Sequence, residues 1–252
     1  MEYDKLLNLG SELGKTLMYS GAEIFRVEES VTRLLTAYGL EPQVFAIPNC
    51  LIVGFDTPDG KPVTRMCRIG PHGTDIELLE FCNDLCRKLC ANPVPVDEAL
   101  AMLREGAGRQ RKFSSRGILL GYFLAAAFFS AFFGGTVRDF VCAGVTGLAV
   151  GCCVLYGQPV MGSNAFFRTV ICSAVAALLP MILVAVGLGN HQDLITIGVL
   201  MLLVPGMALT NAMREIMAGD IISGVNRTAE VILIATAIAI GTALPLMIAR
   251  LL

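Results

Sequence analysis

A run of polar side chains interrupts the apolar second half of this 252-residue chain, and its residue types suit the binding of a polar solute. The residues that could bind a solute or carry a proton are Pro205, Gly206, Asn211, Arg214, Glu215, Asp220, Arg227 and Glu230. A proline within a membrane helix removes a backbone hydrogen bond, and the freed carbonyl groups and helix ends can bind a polar ligand. Polar atoms are costly in hydrocarbon, so those that occur there usually have a function.

These candidates divide by the chemistry that they offer. The backbone at Pro205–Gly206 and the amide of Asn211 could bind the polar atoms of a solute. Arg214 and Arg227 could bind its carboxylate group, since guanidinium groups match carboxylates geometrically. The carboxylates that could carry a proton are Glu215, Asp220 and Glu230. In the alternative interpretation, Asp220 only caps a helix and the two arginines only anchor a loop at the cytosolic membrane face.

Three cysteines in the first half of the chain fall on one face of a predicted helix. Cys82, Cys86 and Cys90 are spaced so that they share this face, and thiolates can bind zinc. Structural zinc sites usually join ligands from separate segments, however, and the two histidines, His72 and His191, are expected on opposite sides of a membrane. We therefore predict a packed helix face, with no metal and no cofactor.

The second predicted helix carries a charged face that salt bridges can explain. Glu23 with Arg26, and Glu29 with Arg33, have the spacings that place opposite charges side by side on a helix. Ser20 and Glu23 also fit a capping box at the start of this helix. The sequence therefore predicts solvated ion pairs here, with a role at the cytoplasmic end of a pore as the alternative.

Five long apolar runs dominate the second half of the chain. They are Gly117–Gly135, Phe140–Gly157, Ala165–Gly189, Leu194–Met213 and Ala229–Ala249. Each can supply roughly the 20 residues that a helix needs to cross about 30 Å of hydrocarbon. A composition of 55% hydrophobic and 16% charged residues agrees, because soluble domains are usually more highly charged. We predict an α-helical polytopic membrane protein whose five transmembrane helices lie within residues 114–252.

The first 113 residues have the patterns of a small α+β domain. Leucines at helical spacing predict a helix over Asp4–Tyr19, and a second helix is expected between Ser20 and Gly39. Alternating apolar residues predict the three strands Gln43–Ile47, Leu51–Asp56 and Val63–Ile69. Two further helices are predicted, from Thr74 to Cys90 and from Asp97 to Glu105. We expect residues 1–113 to form a cytosolic domain with its own core.

The distribution of basic residues predicts the orientation. A basic cluster precedes the first apolar run and consists of Arg104, Arg109, Arg111, Lys112 and Arg116. The positive-inside rule then places the N-terminal domain in the cytoplasm, and five crossings place the C-terminus outside. We expect a multi-pass protein of the cell inner (plasma) membrane, in contact with lipid. A net charge of −2 gives no indication of a nucleic-acid partner.

Two segments resemble the threonine/serine exporter (ThrE) family. The first runs from Val204 to Glu230 and contains Pro-Gly, Asn-Ala, Gly-Asp and Ser-Gly in the order of the family pattern; the second is Ser20–Glu29. Glu215 stands where the family more often has aspartate, which keeps the carboxylate. The resemblance covers nearly the whole chain. It implies a secondary exporter, not an enzyme, that moves a small polar metabolite such as threonine or serine.

The length of the chain is similar to that of a split form of the family. Full exporters carry a second membrane block, whereas this chain resembles the YjjP-type subunit, which works with a smaller YjjB-type membrane subunit in a hetero-oligomer. The split form is associated with dicarboxylates such as succinate, so the resemblance leaves the substrate open. Two alternatives are a membrane-bound hydrolase that uses Glu23, Glu28 and His72, and a regulatory scaffold that acts through the N-terminal domain.

Overall fold

The computed structural model describes residues 3–70, 73–108, 113–157 and 164–251, with side chains to residue 248. The predicted functional or basic residues His72, Arg109, Arg111 and Lys112 lie outside the described residues. The chain divides into two compact units. The first comprises Met1–Arg111 with Thr210–Thr228, and the second comprises Lys112–Leu209 with Ala229–Leu252. The first unit therefore includes a segment from far along the chain.

The N-terminal part of the first unit has the predicted order of two helices, three strands and two helices. Its helices are α1 (Tyr3–Tyr19), α2 (Ile24–Ala37), α3 (Ile76–Ala91) and α4 (Val96–Gly108). Its strands are β1 (Pro42–Ile47), β2 (Cys50–Asp56) and β3 (Pro62–Arg68). The apolar stripes of α1 and α2, including Leu13 and Val31, are buried in one core with Leu51 and Val53 of β2. Burial of these stripes stabilises the unit.

The small sheet is antiparallel with β2 in the middle. Val44 pairs with Val53, and Val53 pairs with Arg65. The alternation predicted from the sequence is confirmed on β2, where Leu51, Val53 and Phe55 are buried. The sheet therefore covers one side of the helices with its apolar face.

The capping box predicted at the start of α2 is wrong. The Ser20 hydroxyl donates to the Leu17 carbonyl oxygen, at the end of the preceding helix. Glu23 occupies the N-cap position, but its side chain makes no cap hydrogen bond. A turn at Ser20 and Gly21, where Gly21 has a φ of 84°, and an extended backbone at Glu23 delay the helix by several residues, which leaves the Glu23 carboxylate available for other contacts.

The second unit consists mainly of apolar helices. These are α5 (Ser115–Phe132), α6 (Val137–Tyr156), α7 (Ala165–Ala185) and α8 (Gln192–Leu200). Small residues on α6 let it approach α5 closely: a methyl group at Gly147 would lie 2.5 Å from the Ala126 Cβ and 2.6 Å from the Tyr122 carbonyl oxygen. A residue larger than glycine at this position would therefore force the two helices apart.

Two further helices, α9 (Gly206–Met217) and α10 (Ile221–Leu251), contribute residues to both units. Among the described residues, the helices long and apolar enough to cross a membrane are Ser115–Phe132, Val137–Tyr156, Ala165–Ala185 and Ile221–Ile248. They number four, whereas the apolar runs predicted five transmembrane helices. The difference lies in the run Leu194–Met213, which is broken between Leu200 and Gly206. Pro205 directly precedes α9, where its missing amide hydrogen is tolerated, whereas Pro180 lies inside α7 and Pro245 inside α10 without ending these helices.

Candidate functional site

The polar segment after Pro205 folds into a helical hairpin, which we define as residues 210–228 of α9 and α10. Helix α9 ends at Met217. Gly219 follows with a φ of 92°, which suits glycine, and the Asp220 amide donates back to the Glu215 carbonyl oxygen at 2.9 Å. Asp220 then accepts from the Ser223 amide at 3.3 Å, as an N-cap does. The compact loop predicted here is therefore a turn between two helices.

The two helices of the hairpin approach closely at one glycine. A methyl group at Gly224 would lie 2.4 Å from the Ile216 Cγ1 and 3.0 Å from the Ala212 carbonyl oxygen. Gly224 is buried, and Ala212 and Ser223 beside it are also buried. This close approach brings polar side chains of α9 and α10 into reach of one another.

The centre of the site is a buried ion pair between these helices. The Arg227 Nε lies 3.3 Å from the Glu215 Oε1; Glu215 is fully buried, and the Arg227 side chain is only 11% exposed. The same Glu215 oxygen accepts from the Ile24 amide at 3.2 Å, and Arg227 donates to the Ala22 carbonyl oxygen at 3.1 Å. Glu215 and Arg227 thus bind the backbone of the segment Ala22–Ile24, which precedes α2.

One oxygen of this buried carboxylate lacks a partner. The Glu215 Oε2 and the Ser223 Oγ are both buried, with no hydrogen-bond partner within the described part of the chain. Ser223 lies one turn before Arg227 on α10, so the two side chains share a helix face. A buried polar atom without a partner is costly, and in a native protein it is often part of a functional site.

A second ion pair lies on the same segment. The Arg214 Nη1 donates to the Glu23 Oε1 at 2.7 Å, and the Arg26 Nε lies 3.6 Å from the other Glu23 oxygen. The pairs predicted on α2, between Glu23 and Arg26 and between Glu29 and Arg33, are confirmed. The contact with Arg214 was not foreseen, because it joins residues far apart in sequence.

The surroundings of Glu215 raise the pKa of its carboxyl, and burial is the largest cause. Burial raises the pKa of this carboxyl above its ordinary value, and the negative charges of Asp220 and Glu23 add to the effect. The Arg227 guanidinium and the Ile24 amide oppose it. The balance follows from the low polarity of the surroundings, which penalises the charged form.

The predicted site residues do not all meet. Arg214, Glu215 and Arg227 come together on the segment Ala22–Ile24, as described above. Asp220 caps α10, in agreement with the alternative interpretation given for it, and Asn211 lies half-buried one turn before Glu215 on α9. Pro205 precedes α9 and Gly206 begins it. Glu230 is exposed on α10, and it has no ion pair with the arginines within the described ranges.

A second polar cluster, in the second unit, was missed by the sequence analysis. Asp139 at the start of α6 is fully buried, and its oxygens accept from the Asn190 and His191 amides at 2.7 and 2.9 Å and from the Thr136 amide and hydroxyl at 2.9 and 2.8 Å. The His191 Nδ1 lies 2.9 Å from the Asp139 Oδ2. The spacing of Thr136 and Asp139 before an apolar run was the available signal, because it is that of a capping box.

The cysteine face on α3 is part of the core. Cys82 and Cys86 are buried, and the Cys86 thiol donates to the Ser30 carbonyl oxygen at 3.5 Å. Burial raises the pKa of each of these two thiols to about 12, so both stay protonated near neutral pH. Protonated, packed thiols are poor metal ligands.

Comparison with known proteins identifies the family. Residues 8–249 match the family described as "Putative threonine/serine exporter" (ThrE). The chain belongs to the ThrE family. The pheromone-regulated membrane protein 10 of Debaryomyces hansenii is 25% identical over 222 residues, which cover 83% of this chain and 21% of that protein. This chain therefore spans about a fifth of the length of that relative. No solved structure matches this chain.

The ThrE match includes every residue of the buried site. The range 8–249 contains the segment Ala22–Ile24 as well as the hairpin. The family resemblance inferred from the sequence is confirmed, and with four long apolar helices it identifies a multi-pass membrane protein of an exporter family.

Proposed function

We propose that this protein is a subunit of a secondary-active exporter of small polar metabolites, either threonine and serine or a dicarboxylate such as succinate. The observation that carries the proposal is the buried Glu215–Arg227 pair on a hairpin that follows a broken helix, in a chain of the ThrE family. Broken membrane helices offer backbone groups and helix ends to polar solutes. The Glu215 carboxylate has one oxygen without a partner, so it can bind a proton or a new hydrogen-bond donor during transport.

The apolar run Leu194–Met213, which is broken between α8 and α9, is the fifth, discontinuous crossing that we propose. A run of this length, about 20 residues, is what a helix needs to cross roughly 30 Å of hydrocarbon. Asp139 binds both Thr136 and the residues before α8, so these two loops lie at one end of the helix bundle. The hairpin of α9 and α10 binds Ala22–Ile24 of the N-terminal domain.

The orientation that we propose has the N-terminal domain in the cytoplasm. The hairpin binds Ala22–Ile24 of that domain, so it is cytoplasmic as well. The chain then crosses inward through α8 and α9 and outward through α10, which places the C-terminus outside a cell inner (plasma) membrane. The basic residues before α5 favour this orientation.

We assign the roles of the site residues as follows. Arg214 binds the carboxylate of the solute, with Asn211 and the backbone at Pro205–Gly206 binding its other polar atoms. Arg227 holds the site together and serves as a second carboxylate-binding group. The proton carriers are Glu215, Asp220 and Glu230. Movement of one charge through 100 mV supplies about 2.3 kcal/mol, so a membrane potential can drive export against a modest gradient.

A smaller YjjB-type membrane subunit is the proposed partner. The side chain of Glu230 is exposed on the long apolar helix α10. In a bilayer an unpaired polar group of this kind costs several kcal/mol, so a second membrane subunit that covers it would stabilise the complex.

The geometry does not favour the hydrolase interpretation. Glu23 is engaged by Arg214, and the Glu28 carboxylate accepts from the Ala46 amide at 2.7 Å. A hydrolytic carboxylate needs access to water and substrate, and these two serve contacts within the fold. Membership of a transporter family also favours a protein that is not an enzyme.

Efflux from cells tests the proposal. Cells that lack this gene and its partner, when supplied with a threonine-containing dipeptide or with succinate, should accumulate one of these solutes several-fold. The wild-type pair should restore efflux. Arg214→Gln should not, because the neutral amide cannot bind a carboxylate as strongly. The matched control is Glu29→Gln, which removes an exposed ion pair from α2 and should export normally. Equal efflux in deleted and restored cells would contradict the exporter function.

A further inference from the structure

The two ion pairs of the site differ in their access to solvent. In the Glu23–Arg214 pair, the guanidinium is 63% exposed, whereas the carboxylate that it binds is only 13% exposed. In the Glu215–Arg227 pair, both side chains are covered. A solute can therefore approach Arg214 from the open side, while Glu23 holds it from the protein side.

We propose that Glu23 is a tethered competitor, which occupies Arg214 when no solute is bound and is displaced by the carboxylate of the solute. The inference rests on the proposed function, because that function assigns Arg214 to the solute carboxylate. It adds that the N-terminal domain supplies a built-in substitute for the ligand. The substrate class that follows is any small solute with a carboxylate group that can reach Arg214.

The surroundings of Glu23 allow the exchange. Its second oxygen lies 3.6 Å from the Arg26 Nε, on its own helix, so a displaced Glu23 keeps a cationic partner. Its side chain makes no cap hydrogen bond, so its movement does not unravel the start of α2. An ion pair with an exposed arginine contributes little to stability, and one carboxylate can replace another at modest cost.

The neighbouring pair keeps the competitor in place. Glu215 accepts from the Ile24 amide and Arg227 donates to the Ala22 carbonyl oxygen, on the two sides of Glu23. Because both side chains are more covered than Arg214, a solute reaches Arg214 first, while the Glu215–Arg227 pair keeps its contacts with the backbone. The backbone that carries Glu23 is thus held beside Arg214 whether or not a solute is bound.

Binding measurements on the full chain in lipid nanodiscs test the displacement. The probes are L-threonine, L-serine and succinate, with L-threoninol as the analogue that lacks a carboxylate. Glu23→Gln should tighten the binding of a carboxylate probe by about threefold to tenfold, because a site that is only partly available binds with proportionally lower affinity. Arg214→Gln should weaken that binding, and adding Glu23→Gln to it should cause no further change. The control Glu29→Gln should bind as the wild type does.

Several outcomes would overturn the displacement. The Glu23→Gln variant leaves Arg214 without its competitor, so a carboxylate probe must bind to this variant more tightly than to the wild type. Unchanged or weaker binding would overturn the displacement, and so would a failure of all three carboxylate probes to bind. Tighter binding of L-threoninol to the same variant would indicate a general loosening and not a lost competitor. If cells still export a solute under these results, only the displacement fails. If the wild-type pair exports nothing, the exporter function fails as well.

Discussion

Among the residues that the structure describes, two carboxylates, Asp139 and Glu215, are fully buried, and they differ in how completely their oxygens are bound. Asp139 accepts on both oxygens, from the backbone of Asn190 and His191 on one and from Thr136 and the His191 ring on the other. Glu215 accepts on Oε1 alone, from Ile24 and Arg227. Equal burial therefore does not imply an equal role.

The difference separates a structural group from a group that can change partners. A buried carboxylate with both oxygens satisfied fixes the segments that donate to it, and any exchange would leave several donors unpaired. A carboxylate with a free oxygen can gain a proton or a new donor without losing its existing contacts. The comparison therefore assigns Asp139 to the fold and Glu215 to the site.

The largest effect is expected from Asp139→Asn. In the wild type, both oxygens of Asp139 accept from backbone amides. The NH2 group of asparagine must replace one of these oxygens, so at least one buried amide loses its acceptor. The expected loss of stability is about 3 kcal/mol, measured by thermal unfolding in detergent. Asp193→Asn, which changes an exposed acid on α8, should have almost no effect. Equal melting temperatures for the two variants would contradict the structural role of Asp139.

Gly224→Ala should have the next largest effect. The added methyl group would overlap Ile216 and force the two helices of the hairpin apart, at an expected cost of about 1–3 kcal/mol. Because Glu215 and Arg227 lie on opposite helices, export should fall by about tenfold or more. Gly121→Ala, on a part of α5 with open space around it, is the control and should be tolerated. Normal export by Gly224→Ala would show that the close approach is dispensable.

Glu215→Gln should destabilise the protein less than Asp139→Asn does. The glutamine oxygen can keep both contacts of Oε1, and its NH2 group takes the side where no donor lies. The expected cost is about 1 kcal/mol or less, because burial already disfavours the charge that the substitution removes. Export should nevertheless be slowed, because the amide cannot carry a proton. A variant that exports at the wild-type rate would remove Glu215 from the transport cycle.

The smallest effects should appear in the dependence of stability on pH. Burial raises the pKa of Glu215 above its ordinary value of 4.5. The contribution of this residue to the free energy of unfolding is therefore complete below pH 4.5 and is lost as the pH rises through the folded-state pKa. For Glu12, the hydrogen bond from Arg104 lowers the pKa below 4.5, so its contribution is complete above that value and is lost as the pH falls.

Melting temperatures between about pH 4 and pH 7 can show these opposite signs. As the pH rises, the melting temperature of the wild type should fall relative to that of Glu215→Gln. As the pH falls, the melting temperature of the wild type should fall relative to that of Glu12→Gln. Parallel curves for the two variants would show that the two carboxyls have similar surroundings.

Local patterns allowed most of the fold to be predicted. The strand predicted over Leu51–Asp56 corresponds to Cys50–Asp56, and the helix predicted over Asp4–Tyr19 corresponds to Tyr3–Tyr19. Hydrophobic periodicity is a property of neighbouring residues, and so the sequence carries it directly. Proline alone did not identify the broken run, because Pro180 and Pro245 lie inside helices whereas Pro205 follows a break.

The contacts of the site could not be predicted in the same way. Glu23 and Arg214 are separated by 191 positions in the sequence, and each has a plausible local role as a member of a helix surface. The capping box proposed for Ser20 and Glu23 was wrong because the backbone enters α2 later than the motif indicates. Long-range pairing depends on how the elements pack, which spacing along the chain does not specify.

Helix α10 has a mechanical consequence. It extends over 31 residues, which corresponds to about 46 Å, with Arg227 near its first end and Pro245 near its last. Arg227 and the apolar residues up to Pro245 therefore share one helical segment, so a rotation of this segment about its axis would turn both together.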